Sequence, residues 1–404
     1  MIAEFSVQNF YSIRSRQTIS FIPTPDKYLK DTYTVEVKPD VRLMKVGVVY
    51  GANASGKTKV LQAIAFFVRT LLHYPLSKSE KIEVIPFLLD DHSPNEPTQM
   101  EMTFYLRGEK YTLSLMFDKE HIIEEKLVVY ASARPAMLYE RTYLLASDST
   151  HVDFGKFLGL NRRDQDFIAG NTLNNCSVIA AFGKSNVANE RLNTIFTWLD
   201  DSFSEVLNPS IDLTAFLHKE LKNNQDNSLK QFIMQFLRKS DFNISEFQLS
   251  SDGSSIIFSH ATASSIGTLP EALESSGTLR FMGIAALLKY LVNDNQFMII
   301  DEIETSLHYE LLSYFLRVFL ANNTGTSQLL FATHDINLLD EDFIRRDAIW
   351  FTDKNEQAET ELVRLSSLGL HKNLSPYNAY RQGKLVKLPF TGAIYLDNQT
   401  EEKQ

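Results

Sequence analysis

One eight-residue segment constrains this chain more than any other. Gly51-Ala52-Asn53-Ala54-Ser55-Gly56-Lys57-Thr58 follows the apolar, β-branched run Leu43 to Tyr50 and precedes a helical apolar pattern that extends to Tyr74. Strand, G-x-x-x-x-G-K-T loop and helix, in that order, make a phosphate cradle. The glycines let the backbone turn tightly, and successive N–H groups and the helix N-terminus face the negative charge. Gly51, Asn53, Ala54, Ser55 and Gly56 supply that backbone, Lys57 reaches the β- and γ-phosphates of a nucleotide, and Thr58 binds Mg²⁺. A chance match arises in about one chain in a hundred of this length, and the strand–helix context makes accident the poorer explanation.

Composition narrows the class. The 404 residues are 44% hydrophobic and 22% charged, which suits a folded chain of about two to four domain-sized units rather than a disordered or fibrous one. Forty Lys+Arg against fifty Asp+Glu leave a net charge of -10, which argues against a surface that grips nucleic acid throughout. The basic pairs Arg162-Arg163 and Arg345-Arg346 and the stretch Lys384 to Lys387 read as solvated surface, so DNA is the weaker candidate partner. A single cysteine, Cys176, excludes an intrachain disulfide and a multi-cysteine zinc site and points to the cytoplasm. The opening residues lack the charged and apolar blocks of a signal peptide, and the apolar helical runs are broken by Arg69 and Lys289. No membrane segment is expected.

Periodicity organises the chain as an α/β protein. Period-2 alternation over 2–10 and 18–22 predicts an edge hairpin, and runs within 100–130 predict a β-meander. Residues 131–262 turn mostly helical, above all Asn189 to Leu207 and Ser228 to Lys239, with a hairpin at 244–260 turning on Asp252-Gly253. Phe297 to Ile300 and Gln328 to Ala332 predict buried parallel strands flanking a helix over Leu307 to Ala321. Three segments follow: 1–130 with the phosphate loop, a mostly helical insertion over 131–262, and 263–404, which completes the main domain.

Asp301-Glu302 ends the first of those strands and His334 follows the second. Beside a phosphate loop, a strand-end aspartate holds the metal and the next glutamate polarises the attacking water. Asp301 is therefore the metal-side acid and Glu302 the general base; His334 is able to hydrogen-bond a γ-phosphate, although a lone histidine at a strand end is usually structural.

Asp301-Glu302-Ile303-Glu304-Thr305-Ser306-Leu307-His308, followed by Thr333-His334-Asp335 and preceded by Glu274-Ser275-Ser276-Gly277-Thr278-Leu279-Arg280, resembles the ABC-type ATPases of the SMC/RecF/OLD group. Without a coiled-coil arm, the chain is similar to the compact stand-alone AAA/ABC ATPases of bacterial anti-phage and toxin-type operons. The resemblance covers about 1–130 and 245–350. It implies a P-loop ABC-type head with a mixed sheet, an antiparallel β lobe and flanking helices, using ATP and Mg²⁺. It places Ser275 on the signature serine, Ser276 in place of the first signature glycine and Gly277 on the second, facing the nucleotide of a second copy in a head-to-tail dimer. A serine before a helix is also a common N-cap, and both roles can hold. Tyr11 stands where some relatives carry an arginine, and the Q-loop glutamine has no assignment beyond Gln99.

The resemblance further implies an ATP-driven dimer switch controlling a separately encoded nuclease or toxin in anti-phage defence. A RecF-like DNA clamp and a non-hydrolysing ATP-gated scaffold are the alternatives.

Overall fold

The computed structural model describes residues 1–386 apart from 133, 224–226, 241, 263, 264, 306, 307 and 372. Ser306 and Leu307 of the Asp301-to-His308 motif, Lys387 of the basic stretch and everything beyond it lie outside the described residues.

The chain opens with β1 (Ile2–Gln8) and β2 (Gln17–Ser20), which pair antiparallel. A short helix, α1 (Lys30–Tyr33), and the hairpin β3 (Thr34–Lys38) and β4 (Val41–Met44) lead into β5 (Val46–Gly51) and α2 (Lys57–Leu72). All six residues of β5 are buried, as a strand covered on both faces requires. Next come β6 (Thr98–Leu106), β7 (Glu109–Phe117), β8 (Ile122–Tyr130), β9 (Ala136–Leu144) and β10 (Ser149–Phe154). With β1 and β2 they form a seven-stranded lobe in the order β10-β9-β8-β7-β6-β1-β2. Strand β2 is its edge, as the opening alternation predicts.

The meander therefore runs on past Tyr130, and the helical part of the insertion starts only at α3 (Arg162–Asn171). The sequence concealed the last two strands because β9 carries Arg141 into the interior, where a period-2 reading expects an apolar residue. Arg141 is completely buried, and its Nη2 donates to the carbonyls of Leu173 and Asn174 at 3.2 and 2.7 Å. Buried Glu125 on β8 faces the same interior and accepts from the Tyr139 and Ser177 hydroxyls and from the Val178 N–H. Burial still pushes the Glu125 carboxyl above its ordinary range.

The helices α4 (Val178–Gly183), α5 (Glu190–Ser202), α6 (Leu213–Asn223) and α7 (Ser228–Lys239) complete the insertion. The predicted helix over Asn189 to Leu207 stops at Ser202. Phe203 instead packs against Trp198 and Phe297, and the chain beyond it lies extended along a strand of the main sheet. A three-stranded antiparallel ribbon follows, β11 (Glu246–Leu249), β12 (Ile256–Ala261) and β13 (Ile266–Pro270), with Gly253 in the predicted turn at a φ of 67°.

The main domain closes with α8 (Ser276–Asn293), β14 (Phe297–Ile300), α9 (Tyr309–Asn322), β15 (Gln328–Ala332), β16 (Ile349–Lys354), β17 (Thr360–Arg364) and α10 (Pro376–Arg381). Its sheet has the order β14-β15-β5-β16-β17, parallel except for β17. Helix α2 joins sheet and lobe: Phe67 packs edge-on against Phe5, and Phe66 stacks on Phe117. The fold is the expected α/β class, a mixed P-loop sheet with an antiparallel lobe and flanking helices.

Candidate nucleotide site

The loop between β5 and α2 has the tight backbone that its glycines permit. Ala54 and Gly56 adopt φ values of 63° and 110°, and a side chain at Gly56 would be strained there. It would also have no room, because a Cβ on Gly56 would lie 2.2 Å from the Thr360 hydroxyl oxygen, and one on Gly51 2.3 Å from that of Thr352.

Strands β16 and β17 thus clamp the loop from behind. Thr360 Oγ1 donates to the Ser55 carbonyl at 2.9 Å and lies 2.8 Å from the Ser12 hydroxyl, while the Ser55 and Thr352 hydroxyls sit 2.6 Å apart. Sequence reasoning passed over Ser12, Thr352 and Thr360. They lie far along the chain from the loop, and isolated hydroxyls carry no motif.

Lys57 is 7% exposed and folds back over the loop, donating to the Gly51 and Ala52 carbonyls at 2.9 and 3.2 Å. Burial holds its ammonium below the ordinary lysine range, against the opposing pull of Asp301, Glu302 and Glu304. Thr58 Oγ1 donates to Asp301 Oδ2 at 2.7 Å; Asp301 is buried, and its Oδ1 has no hydrogen-bond partner.

The strand carrying Asp301 is not the direct neighbour of the loop strand. Strand β15 lies between β14 and β5, so Asp301 reaches Thr58 across the C-terminal end of β15. The sequence shows which strands are buried, but not their order in the sheet.

Glu302 is half-buried at a φ of 48°, a backbone region that costs a non-glycine residue about 1–3 kcal/mol. Such strain persists where surrounding contacts hold it, here partly the Thr305 N–H donating to the Glu302 carbonyl at 2.9 Å. His334 lies two residues beyond the end of β15, its backbone N–H donating to Glu304 Oε1 at 2.6 Å. Desolvation, and then the Lys57 charge, hold the imidazole below the ordinary histidine range, although Glu304, Glu302 and Asp301 pull the other way. Glu304 was missed by the sequence reading although it stands in the quoted motif, two residues beyond Glu302. Its Oε2 is buried without a partner.

The fold therefore brings the loop, Asp301, Glu302, Glu304 and His334 into one electrostatic cluster around Lys57. Ser275, Ser276 and Gly277, the expected signature residues, keep to their own helix. Ser275 is the N-cap of α8, its Oγ accepting from the Thr278 N–H at 3.0 Å, and Ser276 and Gly277 form the first turn. Tyr11 also has a left-handed backbone, with φ 49°, and Lys59 Nζ stands 4.0 Å above its ring. Arg14 and Arg16 are engaged by Asp90 and Glu101, and Gln99 lies on β6 opposite Gln8.

A family model described as "AAA domain, putative AbiEii toxin, Type IV TA system" matches residues 47–340, well over half the chain. The chain belongs to this AAA family. The matched span of the AAA domain takes in the phosphate loop, the signature residues, Asp301-Glu302 and His334. Among solved structures, the AAA domain is similar to the SMC head domain from Thermotoga maritima, at 13% identity and a TM-score of 0.45, over 90% of this chain and 98% of that one. It is also similar to an SMC head solved bound to the C-winged helix domain of ScpA, at 13% identity and a TM-score of 0.48, over 94% and 99% of the two chains. No curated protein matches it by sequence.

Proposed function

We propose that this AAA protein binds ATP with Mg²⁺ in the Gly51–Thr58 cradle, hydrolyses the ATP, and uses it to join two copies head to tail. The observation that carries the reading is the 2.7 Å contact of Thr58 with Asp301, whose second oxygen is buried and unpartnered. A hydroxyl beside a carboxylate with spare lone pairs is an oxygen donor set suited to Mg²⁺. Thr58 and Asp301 would hold the ion, which when bound neutralises charge on the phosphate oxygens.

The rest of the site fits a triphosphate. Gly51 and Gly56 let the loop close against Thr352 and Thr360, where a Cβ would clash, and Lys57 has two loop carbonyls to exchange for phosphate oxygens. Glu302 takes the proton of the attacking water, and His334 donates a hydrogen bond to the γ-phosphate. Ser275, Ser276 and Gly277 present the N-terminus of α8 to the nucleotide of the partner copy. Hydrolysis removes the phosphoryl group that both copies hold, so nucleotide state becomes dimer state.

The output in this reading is a separately encoded nuclease or toxin in anti-phage defence, docked on the insertion or the last 50 residues; the family description supports only a toxin–antitoxin setting. Cys176 is buried and free, as suits a cytoplasmic protein, and no helix among the described residues is long and apolar enough to cross a membrane. Phosphate release and size-exclusion chromatography with ATP test the reading. The wild type should release phosphate, and Glu302→Gln should stall with an ATP-bound dimer. Dimerisation without phosphate release in the wild type would instead favour the non-hydrolysing scaffold.

A further inference from the structure

The ribbon β11–β13 leads the chain into the signature segment, and histidines fasten the join. His260 on β12 has Nδ1 2.9 Å from the Asn243 carbonyl oxygen and Nε2 2.9 Å from Glu274 Oε2. A carbonyl and a carboxylate only accept, so the ring satisfies both by donating from both nitrogens. Glu274 immediately precedes Ser275. Its other oxygen, Oε1, accepts from the Ser275 N–H at 2.9 Å and from the Thr278 hydroxyl at 3.2 Å, and the Thr278 and Ser275 hydroxyls lie 2.7 Å apart. One carboxylate thus connects the ribbon to the signature serine. The pair is shielded, with the His260 and Glu274 side chains 22% and 10% exposed.

A parallel contact lies three positions upstream, where His218 of α6 meets Glu271 Oε2 at 2.6 Å and the Ile256 N–H donates to the same oxygen at 2.7 Å. His218, Glu271 and Glu274 are therefore the titratable groups that α6 and the turn before α8 bring to this join.

We infer that His260 is a positioning residue for the composite ATP site, acting through Glu274 on Ser275 of its own chain and hence on the nucleotide held by the partner copy. The inference rests on the head-to-tail reading proposed above. A charge-assisted hydrogen bond in a shielded place fixes the Glu274 rotamer. Without it the carboxylate is free to turn toward water, the Ser275 N–H loses its acceptor, and the first turn of α8 loosens. ATP binding to a single head, which uses the loop and Lys57, is untouched.

The test uses the full chain with His260→Phe, which keeps a ring and removes both N–H groups. The variant homodimer should turn over ATP about ten-fold more slowly, the effect of roughly one strong hydrogen bond on a barrier, with nucleotide affinity of the single head unchanged. The deciding measurement is a tagged heterodimer of His260→Phe with Lys57→Ala. Its one intact site pairs the variant's loop with a native signature, so its rate should equal that of a wild-type and Lys57→Ala heterodimer. A rate that stays ten-fold low would place the defect within the variant's own head and overturn the inference. A Lys57→Ala and Gly277→Asp heterodimer serves as the control for the geometry. If the control recovers turnover while the His260→Phe pair does not, the inference fails and the head-to-tail reading stands. If the control recovers none, the head-to-tail reading falls and takes the inference with it.

Discussion

Gly56 and Thr360 are fitted to each other across the back of the phosphate loop. The place where a Cβ on Gly56 would stand is 2.2 Å from Thr360 Oγ1, and that hydroxyl donates to the carbonyl of Ser55. Gly56→Ala should therefore lose nucleotide binding while the chain remains folded, since the loop must shift to admit the methyl group. Thr360→Val keeps the shape but strands a buried carbonyl, at a cost of about 1–3 kcal/mol. Denaturant unfolding should show that loss, and fluorescent-nucleotide titration a weaker affinity.

Lys57→Ala should lower ATP affinity by about two orders of magnitude, close to 2.7 kcal/mol, because it removes the cation that the motif aims at the β- and γ-phosphates. Calorimetric titration checks this, and unchanged affinity would displace the site from this loop.

His334 offers a pH measurement. Its imidazole sits below the ordinary histidine range through desolvation first and the Lys57 charge second, while Glu304 pulls upward. In an NMR titration of the nucleotide-free protein, Lys57→Ala should therefore move the His334 midpoint up. Glu304→Gln should move it down. Because the folded value is depressed for a basic group, protonation disfavours folding, and this term erodes stability as pH falls through the ordinary histidine range. A downward shift in Lys57→Ala or an upward one in Glu304→Gln would contradict the arrangement described.

Cys176 is buried, and desolvation pushes its thiol up to about 12. At pH 8 it should react with iodoacetamide only after unfolding, since the thiolate is the nucleophile. The stability gained by keeping the thiol neutral is complete below the ordinary thiol range and is lost as pH rises through that range towards 12.

The chemistry of the site was legible because its residues lie in contiguous motifs: 51–58, 301–302 and 333–335 each mark a strand end. Hydroxyls that act from a distance were not legible. Thr352 and Thr360 gain meaning only when β16 and β17 come to lie behind the loop, a long-range pairing with no local pattern. The end of the meander was hidden for another reason: Arg141 is a buried charge within β9, where alternation expects an apolar side chain. Glu304 was in plain view, but a carboxylate that holds a backbone N–H has no spacing rule to announce it.

The extended segment after α5 has a consequence for anyone trimming the insertion. Phe203 and Leu207 pair in parallel with Phe297 and Ile300, Leu207 N–H donates to the Ile299 carbonyl at 2.9 Å, and its own carbonyl receives the Asp301 N–H at 2.8 Å. Strand β14 would otherwise end the sheet as an open, wholly apolar edge, the kind of surface on which unrelated chains aggregate. A deletion that carries away 203–207 would leave the head prone to aggregate and release the backbone of Asp301 together with it. Any shortened insertion must therefore keep 203–208, and with them 173–178, whose carbonyls, hydroxyl and N–H hold the buried Arg141 and Glu125.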